Sequence, residues 1–439
     1  MNIGLPEDVQ YILKTLETQG YEAYAVGGCV RDSLLGKTPQ DWDICTSALP
    51  EQTITTFAGH HIIETGLQHG TITLILNLKP YEITTYRVES KYSDNRRPDK
   101  VTFVNVLKRD LARRDFTVNA MAYNPNTGLV DYYSGQQDLQ KGVVKCVGNS
   151  NKRFQEDALR IMRALRFAST FGFSIDGETA KAMHDNKKLL HNIAVERIAV
   201  ELNKLLLGGG VRDIIGNHID IITEVIPEFK SAIGFEQRNP YHCYDVLTHI
   251  LCSVEASPKD VTLRLALFFH DIGKPACYTE SDDGIGHFHG HPQISSDMAR
   301  EILVRLKYDN DTVKAVTELV LYHDTELRAS RKIIKRRLNK MGEERFRQLI
   351  EVKKADIAAH AEHIRESALI VMDEVLVCLD EVLEQRQCFS LKDLAVNGKD
   401  LINAGVPEGK AVGVTLNKLL DMVINEEAEN DREILLKLI

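Results

Sequence analysis

The hydrophobic period of this chain changes near residue 150. Before that point, short runs rich in β-branched and aromatic residues alternate with turn residues, which is the mark of strands. The runs fall at 22–26, 41–45, 71–76, 81–86, 100–104, 117–123 and 129–132. Two helical stretches interrupt them, one after Pro6 and one over 30–35 that Gly36 stops. Beyond residue 150, apolar residues recur at helical spacing over 157–171 and 196–207, then from 241 to about 375 and through the tail. The class expected is α+β, with a small mixed-sheet head over 1–140 and an all-α remainder. That remainder reads as a neck over 141–210 closed by three glycines, a third domain over 211–375 and a helical tail over 376–439.

No apolar run reaches the ~18–20 residues of a membrane helix. The N-terminus lacks the basic start and apolar core of a signal peptide, so a cytoplasmic protein with no membrane partner is expected. Eight scattered cysteines with no CxxC pair read as reduced structural thiols. The net charge of −9 argues against nonspecific coating of nucleic acid but leaves room for a local basic groove. Arg87, Lys91, Arg96, Arg97, Lys100, Lys108, Arg109, Arg113 and Arg114 crowd one stretch, and Arg153, Arg160, Arg163 and Arg166 the next.

Two features of the head carry chemistry. Gly27-Gly28 stands between a strand and a helix, where backbone N–H groups approach a phosphate closely. Asp41 and Asp43 are two residues apart, so on a strand both carboxylates share a face. Bare, they would repel until one took a proton. A divalent cation resolves the repulsion, and hard oxygen ligands suit Mg²⁺ and phosphoryl transfer. A lone DxD is as often a solvated strand end and a lone GG a turn. Together, about a dozen residues apart, they make a phosphate and metal site.

Further along stand Arg113-Arg-Asp-Phe-Thr-Val-Asn-Ala, Asp131-Tyr-Tyr-Ser-Gly135, Glu156-Asp-Ala-Leu-Arg-Ile-Met-Arg-Ala-Leu-Arg166 and Glu196-Arg-Ile198. With GGCVRD and DWD, this ordered set resembles the class II tRNA nucleotidyltransferase and bacterial poly(A) polymerase family over residues ~20–210. The resemblance implies nucleotide addition to an RNA 3′ end without a template, with tRNA, CTP and ATP as partners. It implies Asp41 and Asp43 as catalytic metal ligands. It places Gly27, Gly28, Arg31, Arg114, Asp115, Asn119, Asp157, Arg160, Arg163 and Arg166 at the nucleotide.

Asp157 and Arg160 are three apart, neighbours on one face if the helix is continuous. An ordinary surface ion pair is the bland reading. Cytosine and adenine both offer an amine beside a ring nitrogen, so a carboxylate that accepts and a guanidinium that donates fit C and A and oppose G and U. Arg163 and Arg166 extend the stripe and are expected to hold phosphates, a solvated helix face being the alternative. The stretch from Arg87 to Pro98 has the full length of the family's flexible loop, which favours addition of A as well as C.

A second constellation lies in the helical part. His249, His270-Asp271, His291, His323-Asp324 and Asp356 offer imidazole and carboxylate ligands for a divalent transition metal or Mg²⁺. The string His270-Asp-Ile-Gly-Lys274 resembles the HD metal-dependent phosphohydrolases. That resemblance implies His249, His270, Asp271 and Asp356 on a first metal, His291 and His323 on a second or on phosphate, and Asp324 as a marginal member. A phosphoester such as a 2′,3′-cyclic phosphate at a damaged RNA end is the expected substrate, a metal held only for structure the alternative. A poly(A) polymerase, an A-adding enzyme, and a phosphohydrolase whose head only binds RNA are the competing functions. The acidic tail favours tRNA maturation over poly(A) synthesis. The sequence sets no oligomeric state.

Overall fold

The structure, a computed structural model, describes residues 3–90 and 100–439. The chain divides into two units, Met1–Pro227 and Glu228–Ile439.

The first unit opens with helix α1 (Glu7–Thr18), which Pro6 precedes and whose Val9, Ile12, Leu13 and Leu16 are buried at helical spacing. Strands follow: β1 (Ala23–Val26), β2 (Ile44–Thr46), β3 (His61–Ile63), β4 (Thr71–Leu76), β5 (Lys79–Thr85), β6 (Arg87–Ser90), β7 (Lys100–Phe103), β8 (Met121–Asn124) and β9 (Gly128–Asp131). Seven of them make one sheet in the order β3-β4-β5-β2-β1-β8-β9. The β2–β5 pair is parallel and the other pairs are antiparallel. β4 shows why it is a strand: Ile72, Leu74 and Leu76 alternate inward while the threonines and Ile75 are half-buried. β6 and β7 form a separate ribbon. Lys91, Arg96, Arg97 and most of the 87–98 loop read from the sequence lie outside the described residues.

Helices α2 (Gly28–Leu34), α3 (Pro50–Thr56), α4 (Leu107–Ala112) and α5 (Gly135–Lys141) flank the sheet strands in sequence. The neck then runs through α6 (Ser150–Glu156), α7 (Leu159–Phe171), α8 (Gly177–Asn186) and α9 (Val195–Leu206), with α7 packed on α9. α10 (Val211–Asn217) and α11 (Ile219–Val225) complete the unit.

Three expectations are corrected. β2 begins at Ile44, so Asp41 and Asp43 precede the strand, although the Asp43 carbonyl still accepts from Val26 N–H at 2.9 Å. The stretch 117–123 opens as a 3₁₀ turn at Thr117–Asn119 before β8. There, side chains compete with the ladder, since Thr117 Oγ1 donates to Asp138 at 2.7 Å. Finally, no continuous helix spans 157–171. Asp157 is extended (φ −139°, ψ 102°) between α6 and α7, and its carboxylate accepts from Leu159 N–H at 3.1 Å. An aspartate that is extended and accepts from the amide two residues on interrupts the helix and stands before the next one, whose N-cap is Ala158.

The second unit holds α12 (Val246–Ala256), α13 (Val261–Phe269), α14 (His291–Arg305), α15 (Asn310–Tyr322), α16 (Arg331–Ala358) and α17 (Glu362–Glu384). Asp245 and Asp260 cap α12 and α13 through Thr248 N–H and Leu263 N–H. α16 breaks at Gly342, whose φ of 76° is left-handed. The last three helices, α18 (Gly398–Asn403), α19 (Lys410–Ile424) and α20 (Arg432–Leu436), close over their own core of Leu401, Leu419, Leu420 and Leu435. Among the described residues no helix is long and apolar enough to cross a membrane. All eight cysteines are free thiols, most of them buried.

Candidate active site

One cleft of about 810 Å³ in the first unit is lined by all the nucleotide and catalytic candidates of the head and neck. Gly27, Gly28 and Arg31 come from the β1–α2 junction, Asp41 and Asp43 from the approach to β2, and Arg114, Asp115 and Asn119 from the segment before β8. Asp157, Arg160, Arg163 and Arg166 face it from the neck.

Gly27 has no substitute here. Its φ is +83°, and a Cβ on it would lie 2.9 Å from Nη1 of Arg114. The missing side chain lets that guanidinium stand against the turn. Arg114 reaches Asp110 at 3.6 Å and leaves its buried Nε without a partner, so part of its donor set is uncommitted.

Asp43 is open to the cleft but partly walled by protein. Burial and the neighbouring Asp41 raise its carboxyl above the usual range, and Arg114 pulls it down. Glu82 feels the same field: burial, Asp43 and Asp41 all raise it. Asp41 and Asp43 therefore share the cleft, and the field of both reaches Glu82, which is the electrostatic fit for a divalent cation. Sequence reading missed Glu82. It sits in β5, and only the parallel pairing of Ile44 with Ile83 brings it level with Asp43.

Behind the cleft a chain of polar contacts fixes the donors. Arg31 gives Nε to Asp32 at 2.9 Å and Nη1 to Asn119 at 2.5 Å, Asn119 Nδ2 gives to Asp115 at 3.0 Å, and Arg163 Nε gives to Asp115 at 2.9 Å. Burial would raise Asp115, but Arg163, Asn119 and Arg160 outweigh it and hold the carboxyl well below the usual range. Arg166 pairs with Glu201 at 3.2 Å and lies over Phe167. The expected stripe of free phosphate-binding cations is thus largely neutralised, because both Arg163 and Arg166 face a carboxylate in the packed neck. The proposed Asp157–Arg160 pair is not made either. Arg160 donates to Glu156 at 3.0 Å and to the carbonyls of Arg153 and Arg113, while Arg197 approaches Asp157 at 3.4 Å. Arg197, in the Glu196-Arg-Ile198 motif, lines the cleft and was not among the expected site residues.

The second unit gathers the histidine–aspartate residues into a buried knot. His249, His270, Asp271 and His323 are almost wholly excluded from solvent, and His291 is 7% exposed. Asp271 Oδ2 lies 3.3 Å from Nε2 of both His249 and His270, and its Oδ1 lies 3.3 Å from His291 and 3.5 Å from His323. Asp356 joins from α16, 2.9 Å from His249. Asp324 is exposed, because the turn after α15 faces it away from the buried His323.

Each ring is oriented by its other nitrogen. Nδ1 of His270, His291 and His323 lies 2.6, 2.8 and 2.6 Å from the carbonyls of Leu267, Phe288 and Val320. A carbonyl only accepts, so Nδ1 carries a proton, and in the neutral ring Nε2 presents a lone pair. His249 leans the same way toward Ala359 at 3.4 Å. The lone pairs converge in twos, His249 with His270 at 3.3 Å and His291 with His323 at 3.1 Å. Lys274 pairs with Asp271 at 2.7 Å, yet neither Asp271 oxygen has a hydrogen bond of good geometry. Without a cation, burial would lower His270, but Asp271 and Asp356 push it up to about 10. Burial, Lys274 and His249 push His242 down to about 2. The knot asks for positive charge at its centre, and the residues fit divalent cations. His242, His360 and Lys274 were missed as site residues. His242 and His360 group with His249, His360 also lying 3.4 Å from Asp356.

A paired-carboxylate cleft beside a glycine turn on this mixed sheet defines a nucleotidyltransferase head. Family models agree. Residues 23–145 match the "Poly A polymerase head domain", 172–217 the "Probable RNA and SrmB- binding site of polymerase A", and 279–439 the "tRNA nucleotidyltransferase domain 2 putative". The chain is 33% identical over 433 residues to a CCA-adding enzyme of Pediococcus pentosaceus, covering 97% of this chain and 95% of that protein. With a CCA-adding enzyme of Leuconostoc mesenteroides it is 53% identical over 201 residues, 46% of this chain and half of that relative's length. The fold is similar to that of the Bacillus stearothermophilus CCA-adding enzyme solved with CTP, at a TM-score of 0.71 and 28% identity, covering 98% and 95% of the two chains. The chain belongs to the CCA-adding enzyme family.

Proposed function

We propose that this protein adds C, C and A to the 3′ end of tRNA, using CTP and ATP. The observation that carries the reading is the placing of Asp41 and Asp43 in the cleft that also holds the Gly27–Gly28 turn, with Glu82 on β5 inside their field. The full-length likeness to proteins named CCA-adding enzymes supports the choice of product over poly(A).

Asp41 and Asp43 would hold Mg²⁺, with Glu82 within its field. When bound, the ion lowers the pKa of a hydroxyl and neutralises charge on the α-phosphate. The Gly27–Gly28 backbone and Arg114 receive the triphosphate. Asp115 and Asn119, locked by Arg31 and Arg163, meet the ribose and base. Asp157 accepts from the exocyclic amine common to C and A. Arg160 donates to the ring nitrogen once the base displaces one of its present acceptors, and Arg197 is placed to share that task. The RNA 3′-oxygen bonds to the α-phosphorus as the bond to the β-phosphate oxygen breaks. Pyrophosphate leaves, and the hydroxyl proton passes to a carboxylate of the cluster and then to water.

The knot of the second unit carries a second reading. With His249, His270, Asp271 and Asp356 on one divalent transition metal or Mg²⁺, and His291 and His323 at a second ion or a phosphate, it would hydrolyse a phosphoester such as a 2′,3′-cyclic phosphate. The paired Nε2 atoms support this reading.

The test is extension of a tRNA transcript ending at its discriminator base, with Mg²⁺ and CTP, ATP or both. Addition of C, C and A with a halt is expected. A long A ladder from ATP alone means a poly(A) polymerase. One A added only after CC means an A-adding enzyme, and no extension overturns the reading.

A further inference from the structure

A second cavity of about 660 Å³ opens on the head, within the ~300–1,000 Å³ span of small-ligand pockets. It shares Lys37, Thr38, Gln40 and Asp41 with the nucleotide cleft, so these residues stand in a wall common to both. Its other lining includes Lys79, the buried rings of Trp42 and Tyr81, and Gly4. None of the glycine-turn or neck residues of the nucleotide cleft reaches it.

Phosphoryl transfer needs the attacking oxygen in line with the leaving one, on opposite sides of the α-phosphorus. The Gly27 turn and Arg114 take the triphosphate, so the attacking RNA end enters past the carboxylates from the other side. The cavity shares Asp41 with the cleft and holds none of the glycine-turn residues, as a seat for the attacking end requires. It also has the right charge. Lys37 and Lys79 are exposed, Lys37 lies 4.7 Å from the Phe171 ring, and neither ammonium has an ion pair among the described residues. The cavity is held open by the tie between α1 and the β4–β5 turn, where Asp8 accepts from Asn77 at 2.7 Å and from Tyr81 Oη at 2.9 Å.

We propose that this cavity seats the 3′-terminal nucleotide of the RNA acceptor, with Lys79 and Lys37 on its phosphodiester and Trp42 and Tyr81 walling the nucleoside. The proposal rests on the nucleotide-addition reading. Lys79 is the position that separates the two, because it lines this cavity and not the nucleotide cleft. Gly4 gives an independent probe: a Cβ there meets nothing within 4 Å, so a large side chain would fill the cavity without straining the fold.

The experiment measures steady-state CTP addition to a tRNA transcript by the full-length wild type, Lys79→Glu and Gly4→Phe. It adds CTP affinity by equilibrium dialysis and the salt dependence of RNA binding. Expected are a rise of roughly tenfold or more in KM for RNA with Lys79→Glu, a salt slope shallower by about one, and unchanged CTP affinity. Gly4→Phe raises KM for RNA as well, with CTP affinity intact. A 4-thiouridine at the RNA 3′ end crosslinks within 37–42 or 79–81 of the wild type. Wild-type KM for RNA in both variants, or an altered CTP affinity in Lys79→Glu, overturns the proposal. A wild type that extends no RNA fails the underlying reading instead.

Discussion

Nε2 of His291 and Nε2 of His323 stand 3.1 Å apart, and both Nδ1 atoms face backbone carbonyls. Two lone pairs at that distance repel unless a proton or a cation lies between them. The protein stripped with EDTA is therefore expected to regain stability when Mn²⁺, Co²⁺ or Ni²⁺ is returned. At a hundredfold excess over Kd the gain is about 2.7 kcal/mol, read as a rise in Tm by calorimetry. Asp271→Asn, which reaches both histidine pairs, removes the response. A metal-insensitive Tm in the wild type would leave the knot as packing alone.

Asp43 lies just outside β2, raised by burial and Asp41 and lowered by Arg114, and its own field reaches Glu82. Asp43→Asn is expected to lower kcat for CTP addition by about 10³-fold, equivalent to ~4 kcal/mol of barrier. Glu82→Gln, acting on the same cluster from β5, is expected to cost about tenfold to a hundredfold. Single-turnover extension at saturating CTP separates these losses from weakened binding. Equal activity in Glu82→Gln and wild type removes Glu82 from the site.

Much of this arrangement was legible before the fold. The glycine turn, the Asp41–Asp43 pair and the arginine-rich motifs are local in sequence, and all of them line one cleft. Glu82 was not legible, since a single carboxylate in an alternating strand looks solvent-facing until its pairing partner is known. The two-helix break at Asp157 hid for a related reason. Apolar periodicity runs straight through 157–171, and only the extended backbone of Asp157 and its turn to Leu159 N–H show that the helix restarts. Arg163 and Arg166 read as free cations because their partners, Asp115 and Glu201, lie 48 and 35 residues away. The histidines of the knot were identified by type and spacing. The tautomers of His270, His291 and His323 depend on carbonyls three residues earlier, at the end of α13, just before α14 and at the end of α15, a geometry invisible to composition.

In the proposed function Asp157 supplies the carboxylate that reads the base, and Arg197 lies 3.4 Å from it while Arg160 is engaged elsewhere. Asp157→Ala is expected to narrow the preference for CTP over UTP by about ten- to a hundredfold, the ~1–3 kcal/mol of one lost polar discrimination. Arg197→Ala weakens selection in the same direction if it shares the edge, and leaves selection intact if Arg160 alone supplies the donor. Competition assays of CTP against UTP on one primer decide between them.

Asp115 gives the clearest pH dependence. Arg163 and Asn119 overcome its burial and hold its folded pKa well below the usual carboxylate value. A depressed folded pKa makes a contribution that is complete above the unfolded value of about 3.9 and fades as pH falls toward the folded one. Removing the charge leaves Arg163 facing a neutral amide. Asp115→Asn is therefore expected to cost about 3 kcal/mol at pH 7, the scale for breaking a buried pair. The same cost holds at pH 5 and shrinks below pH ~4, where the unfolded chain takes up a proton on Asp115 while the folded carboxylate stays ionised. Urea unfolding of both proteins at pH 7, 5 and 3.5, followed through the first unit's transition, reads the difference. A gap that stays constant into acid would mean that Asp115 acts through packing and hydrogen bonds, without a contribution from its charge.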